Sequence, residues 1–194
     1  MAFTKILLDT NAYLRLGNSI RPLLSDPFGT EQYALFIHKD LQKELNRSYR
    51  IQTKYYWLDQ QEYREERKKI INTSKAEKAR IDKTYDFIWD YQNDEGLSLS
   101  REDILCIAVA YELKIILVTD DEAMIKVARD FDVDVRNTLE LLKLMKDNKK
   151  IDLPKIEEIV NYWYYLDDLP ANFEKDYKRL FKKNPPKKSK NWDQ

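Results

Sequence analysis

Short apolar runs alternate with amphipathic segments along most of this chain. The run FTKILL at residues 3–8 is typical of a buried strand, and KIILVT at 114–119 and VDVRN at 133–137 predict two more strands. After each of the last two strands, apolar residues recur at helical spacing, in DEAMIKVARDF and TLELLKLMKDN, which predicts two helices. Because strands and helices alternate, the pattern predicts an α/β fold with a mostly parallel sheet and helices on both faces.

The segments between the first two strands have mainly helical patterns. Residues 31–47 are expected to form one amphipathic helix, whose apolar face is Tyr33, Phe36, Ile37, Leu41 and Leu45. Residues 48–95 contain neither proline nor glycine and predict two helices, the second capped by Thr73 or Ser74. Asn11 is predicted to cap a short helix after the first strand.

Capping signals and turn residues mark the remaining elements. Ser100 and Asp103 have the spacing of a capping box and predict a helix from about 101 to 113. Beyond residue 150, the segments PKIEEIVNYWYYLDDL and NFEKDYKRLF predict two added helices. The basic sequence that ends the chain, residues 183–194, is expected to be a flexible tail.

Charge is balanced over the whole chain but not along it. The 194 residues contain 34 basic and 34 acidic side chains. Residues 174–194 hold eight basic and three acidic residues, and residues 47–83 hold eleven and six, so the remainder is acidic by ten charges. An acidic centre with basic additions suits a metal site flanked by phosphate-binding surfaces. Solvated helix faces and a disordered tail would account for the same distribution.

Several classes of protein are excluded or disfavoured by composition. The one cysteine, Cys106, lies in an apolar helical run and is expected in the core, so no internal disulfide can form. No apolar run approaches the ~18 residues of a membrane span, and no secretory signal is evident. We therefore expect a soluble cytoplasmic protein without a membrane partner.

Some catalytic chemistries are excluded in the same way. The three glycines lie far apart, so they cannot form a glycine-rich phosphate-binding loop. His38 is the single histidine, which excludes a two-histidine acid–base ribonuclease. We expect it to be a helix-surface or a partly packed residue. No GxSxG sequence supports an esterase-type serine site.

Carboxylates follow the predicted strands where those strands end. Asp9 follows the first strand, Asp120 and Asp121 follow the second, and Asp103 opens the helix that leads into the second. Each alone is usually a helix cap or a turn residue, but together they are predicted at one edge of one sheet. Such acids would repel one another and take up protons unless a hard dication such as Mg²⁺ or Mn²⁺ were bound. Spacing alone does not place Glu44.

Residues 3–147 resemble the PIN-domain nucleases, especially the VapC-like toxins of bacterial toxin–antitoxin pairs. The resemblance lies in LLDTNAYL, the Glu of LQKELNRS, EDILCIAVA, and IILVTDDEAMIKVA followed by FDVDV. It implies a three-layer α/β/α, PIN-like fold over residues 1–147, with a helical segment at about 48–95. Residues 148–182 would then form a helical C-terminal extension before the tail. This extension and the long segment before Asp103 depart from a minimal toxin.

The resemblance also implies roles for individual residues. Asp9, Glu44, Asp103 and Asp121 resemble the metal-binding acids, with Asp121 preferred and Asp120 kept as the alternative ligand. Asp40 also lies close to Glu44 in sequence. Thr119 resembles the hydroxyl that orients the site, and Asn11 a polar support beside Asp9.

By the same resemblance, the expected activity is endonucleolytic hydrolysis of RNA with one or two Mg²⁺ or Mn²⁺ ions, leaving 5′-phosphate and 3′-hydroxyl ends. Single-stranded or structured RNA, an antitoxin protein and a second copy of the chain are the expected partners. Cations interleaved with aromatic residues suit single-stranded nucleic acid, although the same aromatic residues suit a core or an interface. The predicted nucleic-acid-binding residues are Arg47, Arg50, Lys54, Arg64, Lys68 and Lys69.

Two alternatives from other functional classes remain open. A PIN fold could be kept as a catalytically silent RNA-binding or scaffold protein, although four retained acids argue against this. A phosphotransfer domain, receiver-like or phosphatase-like, also has Asp after its first strand. The phosphatase pattern needs a second Asp where Asn11 stands, and a receiver needs its acid pair before the first helix.

Overall fold

The computed structural model describes residues 3–47 and 49–188, except for the side chains at positions 42, 46 and 47. Within the described residues the strands are β1 (Thr4–Leu8), β2 (Tyr33–Ile37), β3 (Ile116–Val118) and β4 (Val135–Arg136). The helices are α1 (Thr10–Leu16), α2 (Lys39–Arg47), α3 (Tyr49–Lys54), α4 (Gln61–Glu66), α5 (Lys75–Asp94), α6 (Arg101–Leu113), α7 (Glu122–Asp130), α8 (Thr138–Asp147), α9 (Leu153–Leu166) and α10 (Phe173–Phe181).

The sheet is parallel, with strand order β2-β1-β3-β4. Leu8, at the end of β1, pairs with Ile37 of β2 on one side and with Val118 of β3 on the other. The chain moves to one side of β1 to form β2 and later to the other side to form β3. The carboxyl ends of β1 and β3 therefore flank the switch point of the sheet, which is where open α/β sheets bind ligands. The predicted α/β fold is confirmed.

The prediction of one helix over residues 31–47 is wrong. Tyr33–Ile37 forms strand β2, and α2 begins only at Lys39. The run YALFI is short and apolar, so its spacing fits a buried strand as well as one face of a helix. Pairing with β1 decides between them, because Ala34, Leu35 and Ile37 become buried in the sheet.

Two further predictions of local structure need correction. Asp9, and not Asn11, caps α1, since its carboxylate accepts a hydrogen bond from the Ala12 N–H, whereas Asn11 is exposed within the helix. The first helix predicted within residues 48–95 is divided into α3, a 3₁₀ turn at Tyr56–Asp59, and α4. The second is α5, which Ser74 caps as one of the two predicted alternatives.

The predicted C-terminal helices pack on the face of the sheet that carries α1 and α8. Trp163 of α9 is fully buried, and its Nε1 donates a hydrogen bond to the Arg15 carbonyl at 2.9 Å. Tyr177 of α10 is buried in the same core. Residues 184–188 have no regular secondary structure, and the rest of the predicted tail, residues 189–194, lies outside the described residues.

Among the described residues, none of the helices could span a membrane.

The second face of the sheet is covered by α5, α6 and α7, whose apolar side chains form a separate core. His38 lies between β2 and α2 and is buried, rather than on a helix surface. The two cores on opposite faces give the three layers that the resemblance predicted.

Replacing Trp163 by alanine is expected to lower the free energy of unfolding by about 3–5 kcal/mol, because a buried ring and its hydrogen bond are lost. Urea unfolding followed by circular dichroism would measure this change. Tyr165→Ala is the matched control on the same helix, where the ring is 55% exposed, and should cost only about 0.5 kcal/mol. Equal effects of the two substitutions would contradict the packing of α9.

Candidate active site

The predicted site residues lie at the carboxyl edge of the sheet, at its switch point. Asp9 follows β1, and Thr119, Asp120 and Asp121 follow β3. The Asp9 N–H donates a hydrogen bond to the Val118 carbonyl at 3.1 Å, which extends the pairing of the two strands to their ends. The backbone thus brings the two acidic strand ends together.

Asp9 is the most deeply buried acid of this edge, with only 3% of its surface exposed. One carboxylate oxygen accepts a hydrogen bond from the Ala12 N–H at 2.6 Å, and the Thr119 hydroxyl also bonds to the carboxyl group. Burial raises the pKa of Asp9 to about 7, and the nearby charges of Asp120 and Asp103 add to this effect. The protein surroundings alone therefore disfavour the ionised form.

Glu44 lies on α2 and reaches the same edge. Its Oε2 accepts a hydrogen bond from the Thr10 hydroxyl, so the residue after Asp9 orients it. Burial raises its pKa, as do the charges of Glu102 and Asp103. Glu44, which spacing alone could not place, therefore belongs to the acidic cluster.

Asp103 and its neighbour Glu102 open α6. The predicted capping box is present: Asp103 accepts a hydrogen bond from the Ser100 N–H at 2.9 Å, and the Ser100 hydroxyl accepts one from the Asp103 N–H at 3.1 Å. Burial raises the pKa of Asp103, with contributions from Asp121 and Glu102. Glu102 was not predicted as a site residue, although its position directly before Asp103 in the first turn was a signal for it.

Asp120 and Asp121 have different surroundings. Asp120 is held by protein groups, because it accepts hydrogen bonds from Arg15 at 2.5 Å, from the Thr138 N–H at 2.9 Å, and from the Thr138 hydroxyl. Asp121 is exposed and caps α7 through the Met124 N–H at 2.8 Å, and its charge acts on Asp103. The carboxylate oxygens of Asp121 are therefore more accessible than those of Asp120.

Arg15 connects this edge to the C-terminal helices, and no pattern in the sequence indicated this role. Its guanidinium contacts Asp120 at 2.5 Å and Asp168, beyond α9, at 3.2 Å. Asp168 also accepts a hydrogen bond from the Tyr55 hydroxyl at 2.9 Å. These partners lie 105 and 153 positions from Arg15 in sequence, so no local spacing could reveal the network.

Cys106 is half-buried and borders the acidic cluster, one helical turn after Asp103. Burial raises the pKa of its thiol well above the usual range, and the charges of Asp9 and Asp103 raise it further. The protein surroundings therefore favour the protonated thiol, which is the less reactive form. The core position predicted for this residue holds only in part.

The donor chemistry of the cluster fits a hard cation. Carboxylate oxygens are the ligands that Mg²⁺ and Mn²⁺ prefer, and the pKa values of Asp9, Glu44 and Asp103 are raised by burial and by the charges of neighbouring acids. Among the described residues, however, no three His, Cys, Asp or Glu side chains converge tightly enough to hold a metal ion as they stand. A bound ion would have to draw these oxygens closer together.

The predicted nucleic-acid-binding cations are distributed over the end of α2, α3, α4 and the turn after α4. Arg50 and Lys69 are exposed, and the Lys54 ammonium lies 5.4 Å from the centre of the Tyr55 ring. Arg64 and Lys68 form ion pairs with nearby acids, at 3.5 and 2.7 Å. The side chain of Arg47 lies outside the described residues. Nucleic-acid binding by this set stays a prediction.

The sequence profile of a family described as DUF3368, a PIN domain, matches residues 50–167, more than half of the chain. The chain belongs to the PIN-domain family. PIN domains are in general nucleases, which hydrolyse phosphodiester bonds and use divalent metal ions. The matched range includes Asp103 and Asp121 and leaves out Asp9 and Glu44, which join the site through the fold.

Solved structures with similar folds include FitAcB from Neisseria gonorrhoeae, at 17% identity and a TM-score of 0.46. Another is VapBC2 from Rickettsia felis bound to a DNA fragment from their promoter, at 18% identity and a TM-score of 0.42. Each alignment covers 69% of this PIN-domain chain and 98% of the other chain. No curated protein matches the sequence.

The raised pKa of Asp9 predicts that Asp9→Asn stabilises the metal-free protein at alkaline pH. Between pH 3.8 and about 7 the folded wild type holds a proton on Asp9 that the unfolded chain has lost, so its stability falls as pH rises through this window. Asn has no such proton to lose. Above pH 7 the variant should be more stable by up to about 4 kcal/mol, and the difference should disappear below pH 4.

Urea unfolding in EDTA at a series of pH values would test this. Asp90→Asn makes the same chemical change at an exposed position on α5 and should follow the wild-type curve. Parallel curves for Asp9→Asn and wild type would contradict the pKa shift.

The Arg15 network predicts a large cost for removing its cation. Arg15→Met leaves two acids without their partner, Asp120 and Asp168, and should lower the free energy of unfolding by about 3–5 kcal/mol. Adding Asp120→Asn should restore part of the loss. Arg179→Met, at an exposed arginine paired with Glu140, should cost less than about 1 kcal/mol by the same urea measurement. Equal losses for the two arginines would refute the role of Arg15.

Proposed function

We propose that this PIN-domain protein is a metal-dependent endoribonuclease. The observation that carries the proposal is the buried Asp9 carboxyl at the switch point of the sheet, where burial and the charges of Asp120 and Asp103 raise its pKa. Uncompensated acids reduce stability, so their collection at the edge where α/β sheets bind ligands favours a role in binding cations.

Asp9, Glu44, Asp103 and Asp121 are the residues that would hold one or two Mg²⁺ or Mn²⁺ ions. Such an ion lowers the pKa of a bound water and stabilises the charge that develops on a phosphate during hydrolysis. Asp120 is not assigned as a ligand, because its oxygens already bond to Arg15 and Thr138.

The surrounding residues orient these acids. The Thr119 hydroxyl contacts the Asp9 carboxyl and accepts a hydrogen bond from the Asp121 N–H at 3.1 Å, so one side chain fixes both acidic strand ends. Thr10 holds Glu44 in the same way. Asn11 is exposed beside Asp9 and would face a substrate rather than the buried carboxyl. Asp121 is exposed, which leaves the site open to a phosphodiester.

A catalytically silent RNA-binding or scaffold protein is the second candidate. It is favoured by one observation, the lack of a closed metal-binding triad among the described residues. Metal-dependent cleavage separates the two candidates. Membership in the PIN-domain family favours a nuclease over a phosphotransfer domain.

The cellular setting rests on the sequence resemblance to VapC-like toxins. It suggests a cytoplasmic toxin that acts on single-stranded or structured RNA, forms a homodimer and is inhibited by an antitoxin protein. Light scattering of the purified chain would test the dimer. A neighbouring gene for a small protein with an amphipathic helix would support the toxin role.

Cleavage of an end-labelled single-stranded RNA is the direct test. Wild-type protein with Mg²⁺ or Mn²⁺ should cut the RNA, and EDTA or Asp9→Asn should abolish cutting, because each removes part of the metal site. Asp121→Asn should also be inactive. Asp120→Asn loses the charge of the Arg15 pair but keeps an oxygen that can accept hydrogen bonds from Arg15 and Thr138, so it should retain part of the activity.

Asp90→Asn is the matched control, an exposed acid on α5 that should leave cleavage unchanged. Calorimetric titration with Mn²⁺ shows whether each folded variant still binds metal. A folded, Mn²⁺-binding wild type that cuts no RNA would refute the ribonuclease function. Cutting that survives both EDTA and Asp9→Asn would refute the metal mechanism.

A further inference from the structure

A cavity of about 310 Å³ lies beside the acidic cluster, between α2, α5 and α6. Its lining includes Tyr85, Arg101, Glu102 and Leu105. This volume is comparable to that of one nucleotide rather than an extended polymer. None of the residues predicted to bind nucleic acid contributes to its lining.

Glu102 joins the cavity to the acidic cluster. It lines the cavity, directly precedes Asp103 on α6, and raises the pKa of Glu44 across the edge of the sheet. A ligand in the cavity would therefore extend directly into the site where a phosphodiester is expected to bind.

Two aromatic rings form a stacked pair beside this cavity. Tyr85 and Trp89 lie one turn apart on α5, with ring centres 6.2 Å apart and planes inclined by 18°. Both side chains are half-buried, so part of each ring remains accessible. The Arg101 guanidinium lies 5.9 Å from the centre of the Trp89 ring, within the range of a cation–π contact.

Of the cations that line the cavity, Arg101 is the one available to bind an anionic group. Within the described residues its side chain forms no ion pair, whereas Lys43 is paired with Asp40, and Asp82 is paired with Lys78. The pKa of Tyr85 is raised by burial, lowered by Arg101 and raised by Glu102, so both charges lie close to its ring. An aromatic face, a guanidinium and an acid are thus grouped in one small space.

We propose that this cavity binds one unpaired nucleotide of an RNA substrate, next to the phosphate that is cleaved. The base stacks on Tyr85, and Arg101 contacts the adjoining backbone phosphate. The proposal rests on the ribonuclease function and specifies its substrate as single-stranded, because a base must leave its helix to stack on a side chain. The lining holds three acids and two bases, and two of the acids are paired with lysines. Such a polar lining disfavours an apolar helix of a partner protein as the occupant.

Fluorescence anisotropy with a short labelled single-stranded RNA would test the base contact. All proteins carry Asp9→Asn, so that binding is measured without cleavage, and the second probe is an abasic oligomer of the same length. Tyr85→Leu should weaken RNA binding roughly 5- to 150-fold, the range for loss of one stacked base, and leave abasic binding unchanged. Tyr85→Phe, which keeps the ring, should bind RNA as the parent does.

Arg101→Gln tests the phosphate contact separately. It should weaken binding of both oligomers and reduce the slope of log affinity against log salt concentration by about 1. Phe87→Leu is the matched control, since it removes a ring from the same helix where that ring contacts Phe131 instead, and it should change neither affinity. Circular dichroism confirms that each variant is folded.

Three results would overturn the proposal. Tyr85→Leu and Phe87→Leu could have equal effects on RNA binding, Tyr85→Leu could weaken RNA and abasic binding equally, or the parent protein could bind no RNA. A protein segment as the true ligand would also leave RNA binding independent of Tyr85. The cleavage assay keeps the two proposals apart. If wild type cleaves RNA but binding does not depend on Tyr85, only the nucleotide site is refuted. If binding depends on Tyr85 but wild type cleaves no RNA, only the ribonuclease function is refuted.

Discussion

The ion pair between Arg15 and Asp120 is the contact on which the arrangement of the acidic edge depends. It joins the first helix to the end of β3, and through Asp168 it also joins both to the segment after α9. Because Asp120 is held in this way, the next residue, Asp121, can turn outward and begin α7. Through its contact with Arg15, Asp120 has a structural role, whereas Asp121 remains accessible to a ligand.

Among the residues that the structure describes, the acids on the other side of this edge have no comparable cation as a partner. Asp9 and Asp103 are held by backbone N–H groups and hydroxyls, which orient their oxygens without supplying a full positive charge. Hydrogen bonds of this kind fix geometry, while burial and mutual repulsion raise the pKa values. The fold therefore collects the acids at one edge before a cation arrives, but their oxygens do not yet converge on a metal position. The edge is less stable without a cation, a common trade between stability and function.

The sequence predicted those parts of the fold that local patterns encode. Asp9 and Asp103 could be placed because each adjoins a strand or a helix start with a clear apolar or capping signal. Strand β2 was missed because its five apolar residues fit a helix equally well, and only pairing with β1 distinguishes the two. Glu44 was predicted from the family resemblance alone. Arg15 was predicted neither from a local pattern nor from the resemblance, because the tertiary fold brings its partners to it.

The contacts of α9 with α1 have a consequence for the order in which the molecule is completed during synthesis. The Arg15 carbonyl meets Trp163 and its guanidinium meets Asp168, both of which leave the ribosome long after the acids of the sheet. A nascent chain released before residue 168 would carry every carboxylate of the cluster yet lack the groups that hold its first helix. Assembly of the acidic edge is thereby tied to synthesis of the chain through residue 168.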